Sequence, residues 1–486
     1  MGLFGILVAL GLLIWLAYRG WSVLLLAPWA AVLAAGLAGE PLLAHWTQTF
    51  MGSAARFIAQ FFPIFLLGAL FGKLMEDSGS VTAIANFMTE RLGPRRAVLA
   101  VVLSGAVVTY GGVSLFVAFF VLAPMAQALF RAASIPKRLM PAAIALGTST
   151  FTMSALPGTP AIQNAIPMPF FNTTPFAAPG LGIVASAIML GFGLWWLTRA
   201  EKRARSHGEG FGEAPVNHTA ADDDEVDLIV RERATTAGTF DPAEVQQGYQ
   251  SEKGPSAILA FLPLVVVISV NLLMSLYFLP RMEASYLADE AWGATSLSAV
   301  GGVWSVVTAL TAAIVVLIMV NLRRLPALRE SMDAGVNASA LPVLSVASLV
   351  GFGSVIAALP AFAMVRDWVL SIEGGPLVSL AVATNVLASL TGSASGGLTI
   401  ALDALGSTYL RIATEQGIDP GLLHRVAVIS AGTLDSLPHN GAVVTLLAVC
   451  NSTHGESYFD IVMVSIVGAL LALVAVIGLG ATVGSF

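Results

Sequence analysis

Runs of apolar residues long enough to cross a lipid bilayer recur along almost the whole chain. A membrane-spanning helix needs about 20 such residues. Runs of this kind lie near 2–18, 21–39, 54–75, 139–170, 181–198, 256–279, 298–320, 340–363, 422–450 and 460–483. Because 57% of the 486 residues are hydrophobic and only 11% are charged, the chain is too apolar for a soluble globule of this size. We predict an all-α polytopic membrane protein. The first run lacks a basic segment before it, so we expect a retained helix rather than a signal peptide.

Most of the net charge lies in one segment. The formal net charge is −6, and the stretch from Arg199 to Lys253 alone holds 12 acidic and 7 basic residues. This stretch is polar and has no sustained helical period, so we predict a flexible, acidic cytoplasmic linker over 200–253. Its run "DDDEVD" at 222–227 is interpreted as solvated rather than as a cation site. The rest of the chain is nearly neutral, which gives no indication of a nucleic-acid partner.

Two further apolar stretches, about 97–130 and 376–410, are too long for one ordinary span. Each has a glycine-rich polar centre, "TYGGVS" at 109–114 and "TGSASGG" at 391–397. We predict that each forms two half-helices that meet at a tip, and we name them hairpin one and hairpin two. Basic residues, which are retained in the cytoplasm, precede hairpin one at 91, 95 and 96 and follow it at 131, 137 and 138. Hairpin one is therefore predicted to be re-entrant from the cytoplasmic side, and counting spans from the basic clusters places both termini outside.

Two polar, proline-containing stretches interrupt long apolar runs. They are "TMSALPGTP" at 152–160 and "TLDSLPHNG" at 433–441. Pro157 and Pro438 each remove a helical hydrogen bond and obstruct the preceding turn. We therefore predict a broken helix at about 139–170 and another at about 422–450, named broken helix one and broken helix two.

The two halves of the chain have the same order of elements. Residues 1–199 and 254–486 each contain five spans and one hairpin, and because five is odd the second half is predicted to be inverted in the membrane. Pairs of like residues recur 281 positions apart: Gly111 and Gly392, Ser114 and Ser395, Ser149 and Ser430, Thr152 and Thr433, Leu156 and Leu437, Pro157 and Pro438, Ala161 and Ala442. Hairpin two also lacks the dense basic flanking of hairpin one, although Arg411 and Arg425 follow it.

Broken helices and hairpin tips at membrane depth are tolerated only where protein or a water-filled cavity surrounds them. The N-terminus of each half-helix carries free N–H groups and a positive dipole end, which attract an anion. Two tips and two breaks in inverted halves are typical of a secondary transporter with a small-anion site near the midplane. The alternative for any single break is a packing or kink residue, as is common in membrane helices.

Neutral hydrogen-bonding groups and glycines dominate the tips and breaks, and neither break contains Arg or Lys. This composition favours a hydroxycarboxylate or polyhydroxylated solute whose charge is met mainly by helix ends. The candidate substrate-binding residues are Thr109, Tyr110, Gly111, Gly112, Ser114, Thr150, Thr152, Ser154, Gly158, Thr159, Asn164, Ser393, Ser395, Gly396, Thr433, Ser436 and Asn440.

Ionisable groups within the apolar stretches are concentrated in the second half. Asp435 and His439 lie in broken helix two and Asp403 in hairpin two. A buried ionisable group is costly at membrane depth, and an ionised Asp435 would repel an anionic substrate until it took up a proton. We predict that Asp435 or His439, or alternatively Asp403, couples transport to protons. A sodium site at Asp435, or simple helix capping by it, are the alternatives.

The other histidines and the cysteine are assigned ordinary roles. His45, His207, His218, His424 and His454 are interpreted as interfacial or solvated, since they lie near predicted span ends or in loops. The single cysteine, Cys450, lies in an apolar run and is interpreted as a small core residue. The sequence predicts no metal site and no cofactor.

The sequence resembles the gluconate permease (gluconate:H+ symporter) family, part of the ion transporter superfamily. The resemblance is carried by "YGGVSLFVAFFVLAPMAQALF" at 110–130, "TFTMSALPGTPAIQNAIP" at 150–167, "GFGSVIAALPAF" at 351–362 and "GTLDSLPHNGAVVTLL" at 432–447. It implies a homodimer in the bacterial cytoplasmic membrane, with a transport region that moves in an elevator-like way. Family substrates are gluconate, related sugar acids and short hydroxy acids such as 3-hydroxybutyrate. Differences around both breaks and a long acidic linker leave the particular substrate open.

Three classes of function follow from these observations. The first is proton-coupled symport of a small hydroxycarboxylate, and the second is sodium-coupled transport of carboxylates or dicarboxylates on a related fold. The third is a membrane-embedded enzyme that uses Asp435 and His439. The enzyme is disfavoured because no second cluster completes a catalytic group, so we predict a transporter.

Overall fold

The computed structural model describes residues 2–18, 21–211, 251, 254–391, 393–438 and 440–486. The predictions for His439 and for most of the linker, including its acidic run at 222–227, lie outside the described residues. Within those residues the chain forms helices joined by turns and loops, with no strand. The prediction of an all-α protein is confirmed.

The helices of the first half follow the predicted apolar runs, because backbone groups in hydrocarbon must be bonded within their own segment. They are α1 Gly2–Tyr18, α2 Val23–Ala38, α3 Met51–Asp77, α4 Ser80–Leu92, α5 Ala97–Tyr110, α6 Leu115–Ala132, α7 Met140–Thr148, α8 Phe151–Ser154, α9 Ile162–Ala165, α10 Pro167–Phe171 and α11 Pro179–Ser206. A π-helix at His45–Phe50 leads into α3. Helix α11 continues into the first residues of the predicted linker.

The helices of the second half begin after the linker. They are α12 Ala257–Leu273, α13 Leu297–Asn321, α14 Leu328–Ala358, α15 Phe362–Leu370, α16 Gly375–Thr391, α17 Ala394–Gln416, α18 Pro420–Thr433, α19 Gly441–Val449, α20 His454–Ile461 and α21 Gly468–Thr482. A π-helix at Val462–Val467 joins α20 to α21. Cys450, at the end of α19, is buried and free, as expected for a core residue.

Helical stretches long and apolar enough to cross a membrane confirm a multi-pass membrane protein. Among the described residues there are seven: Leu42–Asp77, Leu115–Ala132, Pro179–Ser206, Ala257–Arg281, Leu297–Asn321, Leu328–Ala358 and His454–Thr482. An eighth span is possible if the bent pair α4–α5 counts as one. Helices α1, α2 and α16 are apolar but shorter. Helix α6, predicted as one arm of hairpin one, is by itself long enough to span.

Two helices were not predicted from the sequence. Helix α4 meets the start of α5 at an angle of 100°. Gly93 lies between them with φ +65°, a left-handed conformation that glycine adopts without strain. Helix α15 precedes hairpin two in the same way that α4 precedes hairpin one. Both helices are short and mix charged with apolar residues, so neither has the continuous apolar run by which the spans were recognised.

The helices pack mainly into two groups. The first packing group contains α1, α2, α3, α12, α13 and α14, which contact one another extensively. The second packing group contains both hairpins (α5, α6, α16 and α17), together with α7, α11, α18 and α21. The groups contact each other directly chiefly through α14 and α17. Two short helices also connect them: α4 packs between α12 and hairpin one, and α10 packs between α13 and the helices α17 and α18.

Hairpin two depends on a close approach of its two arms. A Cβ atom added at Gly397 of α17 would lie 2.2 Å from the backbone nitrogen of Ala388 in α16. Any larger residue would force the arms apart. The glycine-rich centre of this stretch therefore has a packing reason that is independent of ligand binding.

A buried ionic cluster ends α3. The Nζ atom of Lys73 lies 3.3 Å from the Glu76 carboxylate and 3.1 Å from that of Asp77, and all three side chains are almost fully buried. The first turns of α14 cover this end of α3, with Gly335 close to Leu70 and Lys73. These residues were not predicted from the sequence as buried, because charged side chains at the end of a predicted span are ordinarily solvated.

Candidate functional site

Both hairpin tips and both breaks meet around one cavity of about 170 Å³. Hairpin one contributes Thr109, Gly112, Val113, Ser114, Leu115 and Phe116; broken helix one contributes Met153, Pro160, Ala161, Ile162 and Gln163; hairpin two contributes Ala394 and Ser395; broken helix two contributes Asp435, Asn440 and Ala442. Helices α3 and α14 of the first packing group complete the wall. Drug-sized ligands occupy pockets of about 300–1,000 Å³, so this cavity is suited to a small solute.

Helices α6, α17 and α19 present their N-termini to the cavity, each with a polar cap. The Ser114 hydroxyl accepts a hydrogen bond from the Phe116 N–H at 3.3 Å, at the start of α6. Ser393 accepts from the Gly396 N–H at 3.2 Å in α17, and the Asn440 side chain accepts from the Ala442 N–H at 2.7 Å in α19. The remaining N–H groups of each first turn have no partner inside their own helix. Together with the helix dipoles they form a region that favours negative charge.

Asp435 lies between two of these positive helix ends. The amide nitrogen of Asn440, the N-cap of α19, donates to its carboxylate at 2.7 Å. The backbone N–H of Ala394, the first residue of α17, also interacts with this carboxylate. Asp435 therefore occupies part of the region that would otherwise receive an anion, and it borders the same cavity.

Broken helix one exposes backbone carbonyls, and side chains from three other elements bind them. Arg425 of α18 donates to the Ala155 carbonyl at 3.1 Å, and the Tyr110 hydroxyl donates to the Pro157 carbonyl at 2.8 Å. Asn271 of α12 donates to the Gly158 carbonyl at 2.9 Å. Because these carbonyls have donors, the break is stable without water at each position.

Broken helix two is held in a corresponding way. The Tyr458 hydroxyl of α20 donates to the Ser436 carbonyl at 3.2 Å. The His454 Nε2 atom lies 2.8 Å from the Pro438 carbonyl, where an N–H donates to it. Here both donors come from α20, the helix after broken helix two, rather than from the other half of the chain.

Comparison with known proteins identifies the chain. A profile described as "GntP family permease" matches residues 1–170. YxjC of Bacillus subtilis (strain 168), described as an uncharacterized transporter, is 40% identical over 489 residues that cover 99% of each chain. The chain belongs to the GntP permease family. It is a membrane transporter and not an enzyme.

Other comparisons place this GntP permease among transporters. The high-affinity gluconate transporter of Escherichia coli (strain K12) is 38% identical over 106 residues, which cover 21% of this chain and 23% of that one. The crystal structure of the YdaH transporter of Alcanivorax borkumensis aligns with a TM-score of 0.58 at 15% identity, over 96% of this chain and 99% of that one. MtrF of Neisseria gonorrhoeae, described among antimetabolite efflux pumps, aligns with a TM-score of 0.53 at 13% identity, over 90% and 85%. At these identities the two structures show a shared fold.

Some of the predicted site residues of this GntP permease border the cavity. They are Thr109, Gly112, Ser114, Ser395, Asn440 and Asp435. The others lie in the tips and breaks without reaching its wall: Tyr110, Gly111, Thr150, Thr152, Ser154, Gly158, Thr159, Asn164, Ser393, Gly396, Thr433 and Ser436. Thr150, Ser154 and Thr433 instead donate their hydroxyl groups to carbonyls one turn earlier in the chain. Asp403 is exposed on α17, where the Ser354 hydroxyl donates to it, and does not border the cavity.

The interpretation of His424 as interfacial or solvated was wrong. His424 and Arg425 are both fully buried in α18. The His424 ring lies 2.6 Å from the Thr173 hydroxyl and 3.1 Å from the Asn164 amide oxygen. Arg425 also donates to the Ala177 carbonyl at 2.7 Å. The physical reason is that the loops around broken helix one contain carbonyls that need donors, and α18 supplies them.

The structure adds site residues that the sequence analysis missed. Gln163, the neighbour of the predicted Asn164, borders the cavity, as does Ser339 of α14. The helical periodicity is not continuous across a break. The spacing of residues along the chain therefore does not predict which of two adjacent amide side chains faces the cavity. The residues of α3 and α14 that line the cavity are mostly apolar. In the sequence they cannot be distinguished from apolar residues that face lipid.

Proposed function

We propose that the protein takes up a small hydroxycarboxylate anion, such as gluconate, a related sugar acid or 3-hydroxybutyrate, in symport with a proton. The observation that carries the proposal is the position of Asp435, a carboxylate beside the N-termini of α17 and α19 and on the wall of the cavity. Helix ends and neutral polar groups supply the anion site. Binding an anion there next to an ionised carboxylate is repulsive, and a proton on Asp435 removes the repulsion. Substrate and proton therefore favour each other's binding.

The proposal includes an inverted repeat. Helices α3 to α7 correspond in order to α14 to α18, and the short helices α4 and α15 precede equivalent hairpins. Thr159 and Asn440, 281 positions apart, each accept a hydrogen bond from the N–H two residues later. The carbonyls of Ala155 and Ser436, and those of Pro157 and Pro438, lie at the same separation, and each receives a side-chain donor. These correspondences support two copies of one unit.

The two packing groups support an elevator-like movement. The cavity lies where they meet, since α3 and α14 come from the first packing group and the tips and breaks come from the second. We propose that the second packing group carries the substrate across while the first stays fixed in a homodimer. The location proposed is the bacterial cytoplasmic membrane. Sodium coupling is the competing proposal.

A binding screen tests the substrate class. Purified protein is heated with D-gluconate, 3-hydroxybutyrate, succinate or glucose, and unfolding is followed by fluorescence. Ligand at 100 times its Kd stabilises the folded state by about 2.7 kcal/mol. We therefore expect at least one hydroxycarboxylate to raise the Tm and glucose, the neutral sugar, to leave it unchanged. Stabilisation by succinate alone would contradict the hydroxycarboxylate proposal.

A further inference from the structure

Gln163 has a buried side-chain oxygen that nothing in the described part of the chain satisfies. The residue borders the cavity, is 8% exposed, and its Oε1 atom has no hydrogen-bond partner. The adjacent Asn164 differs, because its amide donates to the carbonyls of Thr159 and Pro175 and accepts from His424. Buried polar atoms are almost always paired, so an unpaired acceptor in a side chain that borders a cavity points to a donor that arrives with a ligand, which the oxygen reaches by rotation of the terminal amide.

We propose that Gln163 recognises the hydroxyl group of the transported anion and makes the site selective for hydroxycarboxylates over carboxylates without a hydroxyl. This inference rests on the proposed function. The unpaired atom is an acceptor, and an ionised carboxylate has no hydrogen to donate to it. A hydroxyl group has one, and it also accepts a hydrogen bond from the amide nitrogen of the same side chain.

The other polar side chains at the cavity already have hydrogen-bond partners, whereas Gln163 Oε1 has none among the described residues. They are Thr109, Ser114, Ser339, Ser395, Asp435 and Asn440. The N–H groups at the starts of α6, α17 and α19 are donors, so they suit the carboxylate of the substrate and not the hydrogen of its hydroxyl. Position 444, which lies 281 residues after Gln163, is Val444, whose side chain has no hydrogen-bonding group. The second half also places an amide on the cavity wall, that of Asn440, but its nitrogen donates to Asp435 and its oxygen accepts from the Ala442 N–H. The unpaired amide oxygen therefore lies in the first half of the chain and the titratable Asp435 in the second. This asymmetry orients the substrate, with its hydroxyl toward broken helix one.

Matched pairs of acids test the inference. The affinity of full-length protein in detergent is measured by titration calorimetry for 3-hydroxybutyrate and butyrate, and for D-gluconate and hexanoate. A site that bonds a substrate hydroxyl rejects the analogue without it. We expect wild type to prefer the hydroxylated acid of at least one pair by about tenfold or more. In Gln163→Leu we expect this preference to fall below about threefold, through weaker binding of the hydroxy acid with butyrate or hexanoate unchanged.

Two further variants keep the test decisive. Met153→Leu alters the same wall without a polar atom, and it is expected to retain the wild-type preference. Gln163→Met keeps the length of the side chain, and it replaces Gln163→Leu if that variant does not fold. An unchanged preference in the Gln163 variants would overturn the inference. It would show that the Gln163 amide is hydrogen-bonded to water and not to the hydroxyl group of the substrate. A wild-type protein that binds none of the four acids would overturn the proposed function itself.

Discussion

Proteoliposomes that contain the Asp435→Asn variant are expected to lose accumulation of substrate driven by a pH gradient, while exchange of labelled for unlabelled substrate continues. Asparagine has nearly the same shape and still accepts a hydrogen bond from Asn440, so the cavity keeps its form. It carries no titratable proton, so no proton accompanies the substrate. A pH difference of two units supplies about 100-fold accumulation per proton. In the variant, internal substrate is expected to reach only the external concentration, as measured by uptake of radiolabelled substrate.

The control for this experiment is Asp403→Asn. Asp403 lies on the exposed side of α17 and does not border the cavity, so this variant is expected to accumulate substrate as wild type does. If Asp435→Asn concentrates substrate against its gradient, Asp435 is not the coupling group. If Asp403→Asn alone fails to accumulate substrate, the coupling group is Asp403.

Replacing Arg425 by methionine is expected to destabilise the protein and to disrupt broken helix one. Arg425 is fully buried and donates to the carbonyls of Ala155 and Ala177. Hydrogen bonds from a charged donor contribute about 1.5–3 kcal/mol each. Methionine also removes a buried charge that is costly to desolvate, and this offsets part of the lost hydrogen bonding. We therefore expect a net loss of about 3 kcal/mol in the free energy of unfolding. Chemical unfolding in detergent measures it.

Two other substitutions show whether the loss of stability is due to the guanidinium group of Arg425. Arg425→Lys keeps the charge but has one nitrogen, so it is expected to lie between wild type and Arg425→Met in stability. Arg411, whose side chain is exposed and paired with Glu415 at 2.7 Å, provides the surface control. Exposed ion pairs contribute about 0–1 kcal/mol, so Arg411→Met is expected to change little. Equal losses in Arg411→Met and Arg425→Met would contradict the role given to Arg425.

The sequence predicted the helical fold and the convergence of its interruptions better than it predicted individual contacts. Pro157 and Pro438 break helices for reasons that are local to the backbone, so their effect was readable from the chain. Ser114 and Asn440 are polar residues placed just before apolar helices, and both cap those helices at the cavity. Such features depend on a few neighbouring residues.

Features that depend on tertiary packing were not readable. Asn164 was selected and Gln163 was not, although the two are adjacent and chemically alike. Their difference arises because Asn164 turns toward His424, which the sequence analysis had interpreted as interfacial or solvated. The burial of His424 and Arg425 follows from carbonyls freed by a break 270 residues away from Arg425. Spacing along the chain contains no information about such a pairing.

The most direct test of proton-coupled transport compares two gradients in wild-type proteoliposomes. Uptake of the hydroxycarboxylate selected by the binding screen is measured once with an inward pH gradient in sodium-free buffer, and once with an inward sodium gradient at equal pH. Proton symport predicts accumulation above the external concentration under the pH gradient and none under the sodium gradient. Accumulation under the sodium gradient alone would contradict it and establish the sodium-coupled alternative.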